Sequence, residues 1–279
     1  MINYPQLLLL GAFAGLTIFL GLPLALAQSV SPRKKGFLNA FAIGILIFLI
    51  VDVFSQAWEF VAEAASSAFV GKLFVGDALL DLFALFGGVA LGLLGLTWYE
   101  TRYMKETAPQ SSIAWTNVAG QVQFAQHTNA YRLSMMIAVG IGVHNFSEGL
   151  AIGQSYVSGA IGLAMILMIG FAAHNATEGF GIAGPLTGLS KRPSIRFIVS
   201  AGLVGGGPTF IGTLLGSLWT SPPVYIFFLA VAGGALIYVS MLMYNSGRRQ
   251  TANDILMIGI FFGLCSGFVT DLIVILGGA

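Results

Sequence analysis

Apolar stretches long enough to cross a bilayer recur along this chain, with short polar segments between them. A transmembrane helix needs about 20 consecutive, mainly apolar residues, and eight runs reach that length. The pattern predicts an all-α integral membrane protein with eight transmembrane helices. The predicted spans are approximately 5–27, 36–60, 77–98, 131–155, 159–186, 195–219, 223–245 and 254–277.

One longer polar segment, at about residues 99–130, separates the third span from the fourth. It is rich in Gln, Ser and Asn and has no long apolar run, so we predict a mobile cytoplasmic loop. His127 lies in this segment, and we expect its side chain to be solvated.

The basic residues are distributed unevenly between the two sides of the predicted bundle. Short cytoplasmic loops retain Lys and Arg, and eleven of the twelve basic residues fall in alternate loops, which leaves Lys72 on the other side. We therefore predict a multi-pass protein of the cell (inner) membrane with both termini outside. The eleven residues are Arg33, Lys34, Lys35, Arg102, Lys105, Arg132, Lys191, Arg192, Arg196, Arg248 and Arg249.

Composition agrees with a membrane protein and excludes other classes. Hydrophobic residues make up 57% of the chain and charged residues only 8%, far from the proportions of a soluble domain. A net charge of +1 offers no basic stripe for phosphates, so we expect no nucleic-acid partner. The single cysteine, Cys265, allows no internal disulfide and no cysteine-based zinc site.

A hexapeptide occurs twice, inside the fourth and fifth predicted spans. The two copies are His144-Asn145-Phe146-Ser147-Glu148-Gly149 and His174-Asn175-Ala176-Thr177-Glu178-Gly179. Residues four apart share one face of a helix, so each span presents one His and one Glu together. Both pairs fall near the centre of their spans, where ionisable groups are costly and usually functional.

Two such helices side by side would present two imidazoles and two carboxylates to one point. This set suits a divalent transition metal such as zinc, which takes nitrogen and oxygen ligands in a roughly tetrahedral shell. We therefore predict that His144, Glu148, His174 and Glu178 bind metal. A His–Glu hydrogen bond without metal explains one copy, but it explains two copies at the same spacing less well.

Asn145 and Asn175 follow the two histidines and point about 100° away from them. Asn175 lies three residues before Glu178, so its amide oxygen is a candidate for a second, weaker ligand shell. Asparagine also forms hydrogen bonds between membrane helices. We count both asparagines among the candidate metal residues and leave the choice between these roles open.

Carboxylates collect toward the predicted outer side of the protein. Asp52 is the deepest of them, because it lies within the second span, and it is a further candidate metal residue. An anionic vestibule at this side would concentrate cations before they reach the site, although solvated helix ends explain the outermost carboxylates. The others are Glu59, Glu63, Asp77, Asp81 and Asp271.

With its two hexapeptides the sequence resembles the ZIP family of divalent metal transporters, whose fourth and fifth spans carry a His-Asn-x-Pro-Glu-Gly signature. The similarity extends to eight spans, outward termini and a long loop after the third span. It implies a 3+2+3 arrangement, with spans one to three and six to eight related by inverted pseudo-symmetry around the central pair. It also implies that residues 1–279 form a single eight-span membrane transport domain in which one helix group moves past the other.

The chain departs from the family pattern at several positions. Ser147 and Thr177 stand where the family commonly has proline. Some relatives place a glutamate in span six, where this chain has Leu203-Val204-Gly205-Gly206-Gly207, and paired glutamates in span seven, where it has Tyr238-Val239-Ser240-Met241-Leu242-Met243. The loop at about 99–130 lacks a histidine cluster. These departures favour one principal metal site over a binuclear one.

The predicted function is a divalent transition-metal transporter that carries zinc foremost, or iron, cadmium or manganese, into the cytoplasm. Alternating access would pass the ion through the mid-membrane His/Glu site. The metal is then a transported substrate, no cofactor is expected, and the partners are the ion and the lipid bilayer. The oligomeric state stays open, and a homodimer is one possibility.

Two other functions would use the same buried His and Glu residues. An intramembrane metal-dependent hydrolase would need a metal with an open coordination position, and the chain has neither a His-Glu-x-x-His sequence nor a basic residue in its core. We therefore do not expect an enzyme. A passive cation channel shares the site, but imidazole and carboxylate ligands should hold a metal too tightly for fast conduction.

Overall fold

The computed structural model describes residues 3–27, 31–104, 118–187, 189, 191–218, 221–248 and 251–276. Every regular element among these residues is helical, and eight helices are long and apolar enough to cross a membrane. The prediction of an all-α integral membrane protein with eight transmembrane helices is therefore confirmed.

The helices follow one another with short connections. Helix α1 continues into two 3₁₀ segments, Thr17–Leu20 and Leu22–Leu26, and α5 continues into a 3₁₀ segment, Gly184–Leu186. A π-helical turn, Glu100–Met104, follows α3. The eight helices are α1 Tyr4–Leu16, α2 Pro32–Phe69, α3 Val75–Tyr99, α4 Val118–Val157, α5 Ile161–Ala183, α6 Ile195–Leu218, α7 Pro222–Gly247 and α8 Asn253–Leu276.

Local sequence signals explain where several helices begin and end. Asn3 caps α1 by accepting a hydrogen bond from the amide of Gln6 at 3.2 Å, and Ser31 caps α2 by accepting one from the amide of Lys34 at 3.4 Å. The turns after α2 and α4 use Gly71 and Gly159, whose φ angles of 73° and 87° favour glycine.

Helix α4 is longer than its apolar run. It begins at Val118, so the second half of the segment predicted as a loop is helical. Ala and Gln in this stretch are good helix formers, and a helix outside the membrane needs no apolar run. Residues 105–117 of the predicted loop, and the side chain of His127, lie outside the described residues.

The two ends of the helix bundle differ in which consecutive helices are joined there. The outer end is the one at which α2 joins α3 and α4 joins α5, and the inner end is the one at which α1 joins α2 and α5 joins α6. The inner end is the side at which the basic residues predict the cytoplasm.

The packing divides the helices into two sets. Helices α1, α4, α5 and α6, called the first helix group, contact one another, with α4 against α6 and α1 against α5 and α6. Helices α2, α3, α7 and α8, called the second helix group, do the same, with α3 against α7 and α2 against α7 and α8. The groups meet where α2 and α8 contact α5 and where α4 contacts α7.

Within the first helix group, α1 and α6 cross at a pair of glycines, Gly15 and Gly206. A Cβ atom on either residue would collide with the backbone carbonyl oxygen of the other. Only glycine allows the two backbones to approach so closely. The crossing therefore places α1 and α6 in direct backbone contact beside the two helices that carry the hexapeptides.

Candidate metal centre

His144, Glu148 and His174 meet at the middle of the bundle. One ligand atom from each lies within 4.8 Å of the others. His144 Nε2 is 3.1 Å from Glu148 Oε1, and a hydrogen bond joins His174 Nε2 to the same oxygen. All three residues are buried. The structure thus brings three of the four predicted ligands together, two from α4 and one from α5.

Glu178, the fourth predicted ligand, is also buried but lies outside this three-residue group. Its carboxylate lies close enough to the side-chain amide of Asn145 to interact with it, but neither oxygen makes a hydrogen bond of ordinary geometry among the described residues. Glu178 is close enough to both histidines and to Glu148 to interact with them electrostatically. An unpaired buried carboxylate is costly, and a divalent cation is the kind of group that would satisfy it.

Further buried polar atoms around the group lack partners. Glu148 Oε2 and His144 Nδ1 make no hydrogen bond among the described residues. Nitrogen and carboxylate oxygen are zinc ligands, so the unsatisfied atoms and the donor set fit a transition-metal ion.

Asn145 and Asn175 are fully buried. The side-chain amide nitrogen of each donates a hydrogen bond to a backbone carbonyl oxygen of another helix. Asn145 Nδ2 donates to the carbonyl oxygen of Gly205 at 2.9 Å, and Asn175 Nδ2 donates to that of Ala14 at 3.1 Å. The amide oxygens of both asparagines have no partner among the described residues. The two asparagines therefore join α4 to α6 and α5 to α1.

A cavity of about 350 Å³ reaches the site from the outer end of the bundle. His174 forms part of its wall, together with Asp52 and Asp271. Asp52 accepts a hydrogen bond from Gln56 Nε2 at 2.9 Å, and it is not part of the three-residue ligand group. The structure thus places Asp52 on the route to the site.

The other carboxylates of the predicted vestibule lie elsewhere. Glu59 and Glu63 are exposed beyond the cavity, and Asp77 and Asp81 do not line it. Sequence reasoning missed several cavity residues, because no motif marks a side chain that reaches the cavity only through helix packing. Examples are Gln154, Thr270 and the buried Tyr225, whose ring packs edge-on against Phe60.

The family model of the ZIP zinc transporter matches residues 102–269 of this chain, more than half of its 279 residues. The chain belongs to the ZIP family. It is therefore a divalent metal transporter of the membrane. The matched segment contains both hexapeptides. A comparison with curated proteins finds no significant match.

The positions at which this ZIP protein departs from the family pattern have clear local structures. Ser147 Oγ and Thr177 Oγ1 donate to the carbonyl oxygens of His144 and His174, each at 2.7 Å. Both helices continue through the hexapeptides without interruption. The hydroxyl groups thus bond to the preceding turn of their own helix, where proline would have removed a backbone donor.

The stretch in α6 that replaces the glutamate of some ZIP relatives presents backbone to the site helices. In this stretch the carbonyl oxygen of Gly205 accepts the hydrogen bond from Asn145 Nδ2. In α7, Ser240 and Met243 are buried, and the hydroxyl of Ser240 has no partner among the described residues. No acidic side chain occupies either stretch, so neither offers a carboxylate to a second metal.

Toward the inner end of this ZIP protein, side chains close the space below the site. A Cβ on Gly181 of α5 would lie 3.5 Å from Met243 Cε and 3.6 Å from Ala42 Cβ, which is ordinary van der Waals contact. Lys35 of α2 donates from Nζ to the carbonyl oxygen of Thr187. Buried apolar residues fill the surroundings, among them Ile18, Leu22, Ile43, Leu46, Ile137, Ile182 and Leu186.

Proposed function

We propose that this ZIP transporter imports a divalent transition metal, zinc foremost and also iron, cadmium or manganese, into the cytoplasm. The observation that carries the proposal is the buried group formed by His144, Glu148 and His174 at mid-bundle. The carboxylate of Glu178 interacts electrostatically with all three members of this group and completes a set of two imidazoles and two carboxylates. Substrate sites of secondary transporters lie near the bilayer midplane, where these residues are.

The ion is bound as substrate by unprotonated imidazoles and ionised carboxylates. Because the metal takes the place of the proton between His174 and Glu148, binding releases protons and weakens in acid. Asn145, Asn175 and Asp52 are assigned supporting roles, the asparagines beside the ligands and Asp52 on the access route. This assignment is supported by the hydrogen bonds of the two amides and by the position of Asp52 in the cavity wall.

The route that we propose begins in the outer cavity, where Asp52 and Asp271 attract cations. The ion then reaches His174, which lines the same cavity. Below the site, Met243 and Ala42 lie at van der Waals distance from the position that a Cβ atom on Gly181 would occupy, and this close approach supports a conformation that is closed to the inner end. The distribution of basic residues supports an outer end that faces outside, with both termini there, in the cell (inner) membrane.

Alternating access would occur by movement of the first helix group past the second. The pairing of helices supports the inverted 3+2+3 arrangement, because exchanging α1–α3 with α6–α8 and α4 with α5 relates several contacts to one another. Under this exchange the contact between α1 and α5 corresponds to the contact between α6 and α4. In the same way, the contact between α2 and α8 corresponds to that between α7 and α3, and the contact between α2 and α5 to that between α7 and α4. A homodimer stays a prediction.

Transport is favoured over the two other functions. A channel requires a continuous pathway, whereas the described residues below the site are packed together. A hydrolase finds no support in a family of transporters. The metal in this site is therefore best understood as cargo.

Uptake into sealed proteoliposomes tests the proposal. Zinc, ferrous iron, manganese and cadmium are each offered to the native chain and to the Glu148→Ala, Glu178→Ala double variant. We expect saturable flux in the native chain, greatest for zinc, and its loss in the double variant while the protein remains folded. Flux that persists in the double variant would remove these carboxylates from the transport site. Stoichiometric metal binding without flux of any ion would favour an enzyme or a sensor.

A further inference from the structure

We propose that Asn145 and Asn175 are positioning residues, which hold the two metal-bearing helices against the crossing of α1 and α6 through their amide nitrogens. This inference rests on the proposed function, because it concerns the geometry of the same metal site. It assigns the asparagines a role in which the N–H₂ end of the side chain, and not the oxygen, is essential.

The two hydrogen bonds end at equivalent points of the fold. Asn145 donates to Gly205, the residue before Gly206, and Asn175 donates to Ala14, the residue before Gly15. Gly15 and Gly206 are the pair at which α1 and α6 touch backbone to backbone. Each hexapeptide is therefore hydrogen-bonded beside the same crossing, α4 to α6 and α5 to α1.

Both acceptors lie beside an irregularity in their helix. In α6, Pro208 has no amide hydrogen, so the regular backbone ladder is interrupted one residue away from the carbonyl of Gly205. In α1, the α-helix ends at Leu16 and becomes 3₁₀ at Thr17, whose hydroxyl also donates to the Ala14 carbonyl at 2.6 Å. Carbonyls at such points accept side-chain donors readily.

The helix interfaces beside these hydrogen bonds are lined by glycine, so they need directional contacts to fix how the helices are positioned. A Cβ on Gly149 would meet the carbonyl oxygen of Thr209, and one on Gly179 would meet that of Ile18. Glycine-lined interfaces bring the backbones of α4 and α6 into contact, and likewise those of α5 and the 3₁₀ segment that follows α1. Such interfaces offer few interlocking side chains to prevent sliding or rotation. A buried, directional hydrogen bond sets the axial and rotational position.

The position of each asparagine links this tie to the metal ligands. Asn145 follows His144 directly and Asn175 follows His174 directly, so a rotation of either helix that breaks the tie also turns its histidine. Holding both helices to one crossing keeps the imidazoles of His144 and His174 at their observed separation, with ring centroids 6.2 Å apart. The asparagines thus act on the ion through the histidines.

The alternative is that the amide oxygens, which have no partner among the described residues, bind the metal directly. The two roles depend on opposite ends of the side chain, so Asn→Asp and Asn→Leu variants separate them. Aspartate keeps an oxygen and adds charge but loses the N–H₂ donor, whereas leucine loses both and keeps a similar size. A ligand tolerates aspartate, and a positioning donor does not.

The experiment measures the zinc Kd and the uptake KM of Asn145→Asp, Asn145→Leu, Asn175→Asp and Asn175→Leu. Thermal unfolding of each variant is followed in parallel. We expect zinc binding to weaken about tenfold in all four variants, because each leaves the tie unmade. Matched controls are Ser147→Ala and Thr177→Ala, which remove hydroxyls of the same hexapeptides that bond only within their own helix. Their zinc Kd should stay near the native value.

Two outcomes would overturn the inference. Aspartate variants that bind zinc as tightly as the native chain, with weak binding in the leucine variants, would show that the oxygens are ligands. A native zinc Kd in all four variants, with only the unfolding temperature changed, would reduce the asparagines to general stabilisation. If the leucine variants do not fold, Asn145→Ser and Asn175→Ser replace them, since a serine hydroxyl is too short to reach the carbonyls.

His174→Ala, measured beside these variants, separates the inference from the proposed function. Native zinc binding in His174→Ala would overturn the metal site itself. Lost binding in His174→Ala, together with native binding in the asparagine variants, would overturn the positioning role alone.

Discussion

Helices α2 and α5 face each other on both sides of the proposed metal site, but the space between them differs on the two sides. Toward the outer end they stand apart, and Asp52 of α2 and His174 of α5 share the wall of the same cavity. Toward the inner end they close, with Ala42 near Gly181 and Lys35 bonded to the carbonyl of Thr187. The same pair of helices therefore provides both an access route and a barrier.

This difference follows from the residues at each contact. The outer part of α2 carries polar side chains that can line water, whereas its inner part presents a small residue, Ala42, to a glycine of α5. Small residues let helices approach closely, and carboxylates at membrane depth require water or cations. In this conformation the proposed site is therefore open to the outer end of the bundle and closed to the inner end.

The largest expected effect comes from removing His174, which lies at the inner limit of the outer cavity. His174→Ala deletes a proposed ligand and part of the cavity wall, so uptake should fall by at least about 100-fold, since even the loss of an outer partner of a ligand costs about 10- to 100-fold. Zinc uptake in proteoliposomes measures it. His127→Ala, at the one histidine outside the hexapeptides, is the control and should transport normally. Native uptake by His174→Ala would show that the outer cavity does not lead to the transport site.

A smaller effect is expected at the outer cavity. Asp52→Asn removes a charge from the access route without touching the ligand group, so the KM for zinc should rise about threefold to tenfold while kcat stays near native. The rise should shrink at high salt, because salt screens attraction at a distance. Glu63→Gln, which changes an exposed carboxylate beyond the cavity, serves as the control. A fall in kcat with an unchanged KM would contradict the role of Asp52 in access.

The inner contact can be strengthened by one methyl group. In Gly181→Ala the new Cβ meets Met243 and Ala42 at ordinary contact distances. It should therefore stabilise the inner-closed state by about 0.8 kcal/mol, or about fourfold. We expect slower zinc uptake with an unchanged zinc Kd, measured on the same preparation. Uptake faster than native would show that the inner contact is not the barrier.

The smallest effect is expected at the inner end. Lys35→Met removes the donor to the Thr187 carbonyl, and a net hydrogen-bond contribution at the low end of its range predicts an inner side that opens about two to three times more often. The readout is thiol labelling of Ser240→Cys from the inner side, in a Cys265→Ser background.

Lys34→Met changes the exposed neighbouring lysine and is the matched control for this variant. Its labelling rate should equal that of the Ser240→Cys parent. Equal rates in Lys35→Met and Lys34→Met would remove the Lys35 hydrogen bond from the barrier and leave the apolar packing alone to close it.

Sequence alone predicted the parts of this protein that depend on local spacing. Apolar run length predicted eight membrane helices, which the structure confirms. The four-residue spacing of His and Glu placed each pair on one helix face, and the doubled hexapeptide indicated the ZIP family, which the family match confirms. These inferences succeeded because helix periodicity and the cost of charge in a membrane apply to each segment by itself.

Tertiary structure alone decided how these segments combine. It grouped His144, Glu148 and His174, set Glu178 outside that group, placed Asp52 in the cavity wall, and turned both asparagine nitrogens toward α1 and α6. None of these follows from spacing, because each depends on how closely two distant helix backbones approach. That approach is determined by pairs of glycines far apart in the chain, such as Gly15 and Gly206.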